Sequence, residues 1–156
     1  MAKLKILFLC TGNSCRSQMA EGWAKYLKAD QIDAYSAGVE PHGMNQRAVQ
    51  AMREAGVDIT GHHSKHVNDL ADVAFDYVVT VCDHANETCP IFPGKTRGIH
   101  VGFDDPPRLA KDAKSEEEAL APYRRVRDEI KRFVETIETH IPIPTDTPKA
   151  QDVTQD

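Results

Sequence analysis

The chain has 156 residues, 40% of them hydrophobic, and a formal net charge of −5. That is enough for one globular domain with a single core. Nothing in that acidic balance suggests nucleic-acid or anionic-membrane binding. No apolar run approaches the roughly 20 residues of a membrane span, and the first ten residues, MAKLKILFLC, lead to no small-residue cleavage site, so the opening reads as a strand rather than a signal peptide. A cytoplasmic location follows, and there the four cysteines, Cys10, Cys15, Cys82 and Cys89, are expected to serve catalysis, redox cycling or metal binding rather than structural stapling.

In chain order, residues 3–9 read as a buried parallel strand, because Ile6, Leu7, Phe8 and Leu9 are continuously apolar. Residues 16–28 read as a helix with Met19, Trp23, Tyr26 and Leu27 on one face, and 34–37 as a second strand ending at Gly38. Asn45 is placed to cap a helix over 46–55, with Val49 and Met52 inward and Gly56 as its stop. A short helix is expected over 66–73, then a strand over 76–81 that runs into Cys82, and a short strand over 98–101. FDDPPRLAKDAK reads as a long loop. Ser115 and Glu118 form an S-x-x-E box at the start of a helix, and Pro122 reads as a fresh helical start rather than an interior position. Tyr123, Val126, Ile130, Phe133, Val134 and Ile137 then recur at helical spacing. The Pro- and Thr-rich stretch 141–156 reads as a disordered tail beyond a catalytic domain of residues 1–140. Alternating strands and helices give an α/β domain, a single parallel four-stranded sheet flanked by helices on both faces. Ligands of such sheets sit at the carboxyl ends of strands, where Cys10 and Cys82 both fall.

The chemistry concentrates at C-T-G-N-S-C-R-S, residues 10–17, a C-x5-R loop between a strand and a helix. The backbone N–H groups of Thr11, Gly12, Asn13, Ser14, Cys15 and Arg16 can surround a tetrahedral oxyanion, and the following helix adds its dipole. The same field favours a negatively charged Cys10 sulfur, the nucleophilic form. Arg16 can hold two oxygens of the anion in a bidentate grip. Ser17 is placed to hydrogen-bond the sulfur, and Gly12 and Asn13 suit positions of positive φ. Cys15 reads as a packing residue.

These blocks carry a resemblance. CTGNSCRS and a later Asp-Pro pair resemble the low-molecular-weight protein tyrosine phosphatases. FLCTGNSCRSQMAEGWAKYL, YSAGVEPHG, VVTVCDHANETCP and HVGFDDP resemble, more closely, the thioredoxin-coupled arsenate reductases of that fold. The resemblance spans residues 4 to about 139. It implies that Asp105, before Pro106, is the general acid, with Asp104 as the adjacent alternative. It also implies a relay: Cys10 attacks arsenate, Cys82 attacks the Cys10 sulfur and arsenite leaves, and Cys89 attacks Cys82. Thioredoxin then reduces the Cys82–Cys89 disulfide. A monomer without a bound cofactor is the expectation.

The spacing sets a physical demand on that relay. Seven helical steps separate residues 82 and 89 by about 10.5 Å, whereas a disulfide tolerates Cα separations of only about 7 Å. A helical 83–89 segment must therefore unwind to form the bond. Asp83, His84, Asn86 and Thr88 are weak helix formers and Pro90 stops propagation.

Reductases of this family also bind a potassium ion through positions that match Asn13, Glu21 and Ser36, with a threonine and an aspartate where this chain has His63 and Lys65. The Lys65 ammonium is expected to take the ion's place, so no metal site is expected. His42, His62, His63 and His66 read as solvated side chains. Three other readings stand beside the reductase. A phosphatase would use only Cys10, Arg16 and Asp105, a thiol-sensing module would be catalytically silent, and a reductase could draw its electrons from glutathione and glutaredoxin.

Overall fold

The computed structural model describes residues 3–83 and 96–141. Four strands, β1 (Leu4–Cys10), β2 (Ile32–Gly38), β3 (Tyr77–Thr80) and β4 (Arg97–His100), form one parallel sheet in the order β2-β1-β3-β4. Among the described residues four α-helices accompany them: α1 (Arg16–Leu27), α2 (Gln46–Glu54), α3 (Pro106–Leu109) and α4 (Glu116–Glu135). The strand order reverses direction between β1 and β3, which opens a crevice at their carboxyl ends.

Alternation along β1 divides the core. Ile6, Phe8 and Cys10 face Met19, Trp23, Met52, Tyr123, Val126 and Ile130 from α1, α2 and α4. Leu7 and Leu9 point the other way, onto Phe75, Val78 and Ala37. The expected helical cover on both faces is uneven among the described residues: α1, α2 and α4 cover one face. Tyr35, Val73 and the 3-10 turn Val67–Leu70 contribute to the other. That turn replaces the longer helix expected over 66–73.

α2 begins as expected. Asn45 Oδ1 accepts from the N–H groups of Arg47 and Ala48, and Gly56 follows its end at φ +90°. Tyr26 departs from its expected place on the buried face of α1, being 60% exposed. Ala20 and Ala24 fill that face beside Met19 and Trp23, and small residues there allow close approach to α4.

Pro122 also departs from expectation, since it lies inside an unbroken α4. An interior proline removes one backbone bond and costs about 3 kcal/mol. The apolar stripe nevertheless runs straight across it, burying Ala119, Leu120, Tyr123 and Val126, and that packing outweighs the local penalty. The Ser115 box forms by halves: Ser115 Oγ accepts from Glu118 N at 3.0 Å, but Glu118 Oε1 accepts from Lys114 N at 3.1 Å rather than from Ser115 N. The stretch expected as a loop after Phe103 contains α3, begun by Asp105 as N-cap and Pro106 at the first helical position. Ile141, placed at the start of the expected tail, is buried with Ile137 in the main core, so the packed domain reaches it. Residues 142–156 lie outside the described residues.

Candidate active site

The loop between β1 and α1 is held from behind by its own carbonyls. Thr11 O accepts from Val39 N and Glu40 N at 3.0 and 2.9 Å, and Gly12 O from His42 N and Ser64 Oγ at 2.9 and 3.0 Å. Asn13 O accepts from Gln18 Nε2 at 3.1 Å, and Ser14 O from Asn45 N at 3.0 Å. These bonds tie the loop carbonyls to the surrounding chain. Asn13 adopts φ +48°, the left-handed conformation that asparagine tolerates. Gly12 does not have the positive φ expected of it. A glycine that the loop demands by backbone contact is Gly38 at the end of β2, where a Cβ would come within 2.4 Å of Thr11 O and 2.9 Å of Asn13 N.

A cavity of about 210 Å³ opens over this loop, lined by Cys10, Thr11, Gly12, Ser14, Cys15 and Arg16, with His42, Asp105 and Pro107. Cys10 is a free thiol, buried at the end of β1, with its Sγ 2.9 Å from Ser17 Oγ. Arg16 is buried. Its Nη1 donates to Phe103 O at 3.0 Å and its Nη2 lies 3.5 Å from Asp105 Oδ1. Asp105 is part-exposed and Asp104 is turned away, paired with Arg125 at 2.7 Å. Of the two aspartates, Asp105 alone lines the cavity. Cys15 caps α1 from within the buried loop. Burial pushes its thiol well above the ordinary value, with the nearby Arg16 guanidinium pulling the other way.

Cys82 follows β3 by two residues and is fully buried. It is disulfide-bonded, whereas Cys10 and Cys15 are free. Of the 83–89 segment expected to unwind, Asp83 is described and is not helical, and residues 84–89, with Cys89, lie outside the described residues. β1 and β3 are paired neighbours with Leu9 opposite Thr80, so Cys10 and Cys82 flank the crevice where the strand order reverses. Asp83 meets Arg108 of α3 at 3.7 Å, which ties the chain after Cys82 to the helix that Asp105 begins.

Behind the loop lies a compact charged cluster. Ser36 Oγ donates to Glu21 Oε1 at 2.5 Å, Lys25 pairs with Glu21 Oε2 at 2.6 Å, and Lys65 Nζ donates to Ser36 O at 2.9 Å. Lys65 N donates to Asn13 Oδ1 at 2.9 Å. Burial pushes the half-buried Lys65 ammonium below its ordinary value, with Glu21 opposing. His62 is likewise lowered by burial, and its Nδ1 lies 3.0 Å from Gln18 Oε1. An ammonium bonded to Ser36 O beside Glu21 is a poor fit to a potassium ion at the same place, since the two cations would compete for one set of oxygens. Among the described residues no group of three or more metal-ligating side chains converges. His66 caps the 3-10 turn, and His42 lines the cavity over the loop. No helix of the described residues is long and apolar enough to cross a membrane.

The family model for low molecular weight phosphotyrosine protein phosphatases matches residues 5–143. The chain belongs to this family. Within the low molecular weight phosphatase family its relatives include an arsenate reductase of Bacillus licheniformis, 51% identical over 144 residues and covering 87% of this chain and 99% of that protein. An arsenate reductase of Halalkalibacterium halodurans is 50% identical over 136 residues, covering 87% and 96%. A solved arsenate reductase in a phosphate-binding state superposes with a TM-score of 0.69 at 32% identity, covering 88% of this chain and 98% of that one. The fold and the family resemblance expected from the sequence are both borne out.

Proposed function

We propose that the chain is a cytoplasmic arsenate reductase that serves arsenic detoxification and is regenerated by thioredoxin. The observation that carries the reading is a free Cys10 that lines the cavity over the C-x5-R loop, with a disulfide-bonded Cys82 just past the end of the neighbouring strand. A phosphatase needs only the first cysteine. Reduction needs a second thiol within reach of the first.

The Cys10 thiolate attacks arsenic, held by the loop N–H groups and Arg16. Asp105 gives its proton to the departing oxygen, which leaves as water. The Cys82 thiolate then attacks Cys10 Sγ. The sulfur–arsenic bond breaks with its electron pair remaining on arsenic, so As(V) becomes As(III), arsenite leaves, and two thiols become one disulfide. Attack by Cys89 on Cys82 frees Cys10 and leaves Cys82–Cys89, which an external dithiol reduces by exchange. A free Cys10 with an oxidised Cys82 is the pattern left after that last internal step. Curated relatives named arsenate reductases, at 50–51% identity over nearly their whole length, support the same substrate.

The first half of this chemistry is shared with phosphatases of the family, so slow hydrolysis of an aryl phosphate is expected as a side activity. The test is stoichiometric. Fully reduced protein given excess arsenate without external reductant should release one arsenite and lose two thiols per chain. No arsenite, with ready hydrolysis of an aryl phosphate, would leave the phosphatase reading in its place.

A further inference from the structure

His42 stands at the anion cavity without a part in the chemistry above. It is an exposed histidine on the segment between β2 and α2, far in sequence from the loop, yet it lines the same cavity as Cys10, Arg16 and Asp105. Its backbone is pinned there by His42 N donating to Gly12 O at 2.9 Å. Pro41 before it stiffens the chain and Gly43 after it takes φ +83° to turn away. The ring lies against Gly12: a Cβ built on that glycine would sit 2.6 Å from His42 Nδ1 and 3.2 Å from Cγ and Cε1. Gly12 has no positive φ, and the three nearest atoms that a Cβ there would meet all belong to the His42 ring, which would have to shift.

We propose that His42 is an oxyanion contact, whose imidazole N–H donates to an oxygen of the bound tetrahedral anion at the mouth of the cavity, and that Gly12 is glycine to admit that ring. Cys10, Arg16 and the loop N–H groups surround the anion from below. An anion with four oxygens leaves at least one turned outward during attack by Cys10, and a donor at the rim stabilises it without obstructing the sulfur. The ring therefore acts on the anion directly and makes binding depend on a residue outside the C-x5-R loop. The inference rests on the loop being an oxyanion site, and not on the reduction steps that follow.

The probe is inorganic phosphate, titrated calorimetrically into wild type, His42→Phe, His42→Gln, Gly12→Ala, His42→Ala and the Gly12→Ala/His42→Ala double variant. Arsenate kinetics are measured alongside. His42→Phe keeps a ring but no donor, and should weaken phosphate about tenfold and raise KM for arsenate similarly, with kcat changed less than KM. His42→Gln restores a donor and should recover part of the loss. Gly12→Ala should mimic the histidine variants by displacing the ring, and should cost less than twofold further in the His42→Ala background. Phosphate affinity within twofold of wild type in His42→Phe, or an equal cost of Gly12→Ala in both backgrounds, would overturn the proposal. Failure of the wild type to bind phosphate would overturn it together with the oxyanion reading. Normal phosphate binding in a protein that makes no arsenite would leave it standing and reject only the reductase reading.

Discussion

Ser17 Oγ lies 2.9 Å from Cys10 Sγ and accepts a hydrogen bond from Asn13 Nδ2 at 2.8 Å. The direction of these bonds follows from their surroundings. Asn13 Oδ1 accepts from Lys65 N and from Gln18 Nε2, which fixes the amide so that its nitrogen faces Ser17. An amide nitrogen only donates, so the Ser17 hydroxyl keeps its own proton to give, and to a Cys10 thiolate, which only accepts, that proton would be turned. Ser17→Ala removes that donor and strands Asn13 Nδ2 in a buried place, at about 1–3 kcal/mol. A fall of about tenfold in arsenate kcat/KM, with a matching slowing of Cys10 alkylation by iodoacetamide, is expected. Equal alkylation rates would contradict the assignment.

Asp105 and Asp104 are neighbours with different surroundings. Asp105 lines the cavity and approaches Arg16, whereas Asp104 is bound to Arg125 on the surface. Asp105→Asn should lower kcat by about 10²- to 10⁴-fold, the usual worth of a positioned acid. Asp104→Asn should change it by less than about threefold. Comparable losses in both variants would remove Asp105 from its role.

Lys65 gives the Glu21 cluster a tethered cation. Wild-type activity and melting temperature should be the same in potassium and in sodium at equal ionic strength. Lys65→Met leaves Glu21 with Lys25 and should lower the melting temperature, with potassium now restoring more than sodium does. A potassium-specific gain in the wild type would refute the account.

Glu54 links α2 to α4 through Arg124 at 2.8 Å. The hydrogen bond from Arg124 leads the causes that hold its carboxyl down, from 4.5 to about 2. A depressed carboxylate stabilises the fold fully above its unfolded value and loses that contribution as pH falls through its folded one. Unfolding stability should therefore decline between about pH 4.5 and 2 more steeply in wild type than in Glu54→Gln, as urea midpoints across that window would show. Parallel declines would exclude Glu54 as a contributor.

The nucleophile loop was legible because its chemistry is local: Cys10, Arg16 and Ser17 are placed by one strand, one turn and one helix start. The same holds for Asn45, whose cap is a short-range bond. Pro122 and Tyr26 are not legible in the same way, because their positions are decided by the packing of α4 on α1 and α2, which local propensity does not carry. At Gly12 the sequence suggests a positive φ that the structure does not have, and nothing near it in sequence announces the His42 ring. His42 is exposed, as its sequence suggests, but its place at the cavity is not legible there, because the clasp of residues 39–45 on the loop runs through backbone N–H groups that every residue possesses.

The central claim is the three-cysteine relay, and its most direct test is arsenate-dependent NADPH consumption with thioredoxin and thioredoxin reductase. Wild type should turn over steadily, while Cys89→Ser should stop after at most a single turnover with Cys10 and Cys82 joined. Sustained turnover by Cys89→Ser at the wild-type rate would contradict the account.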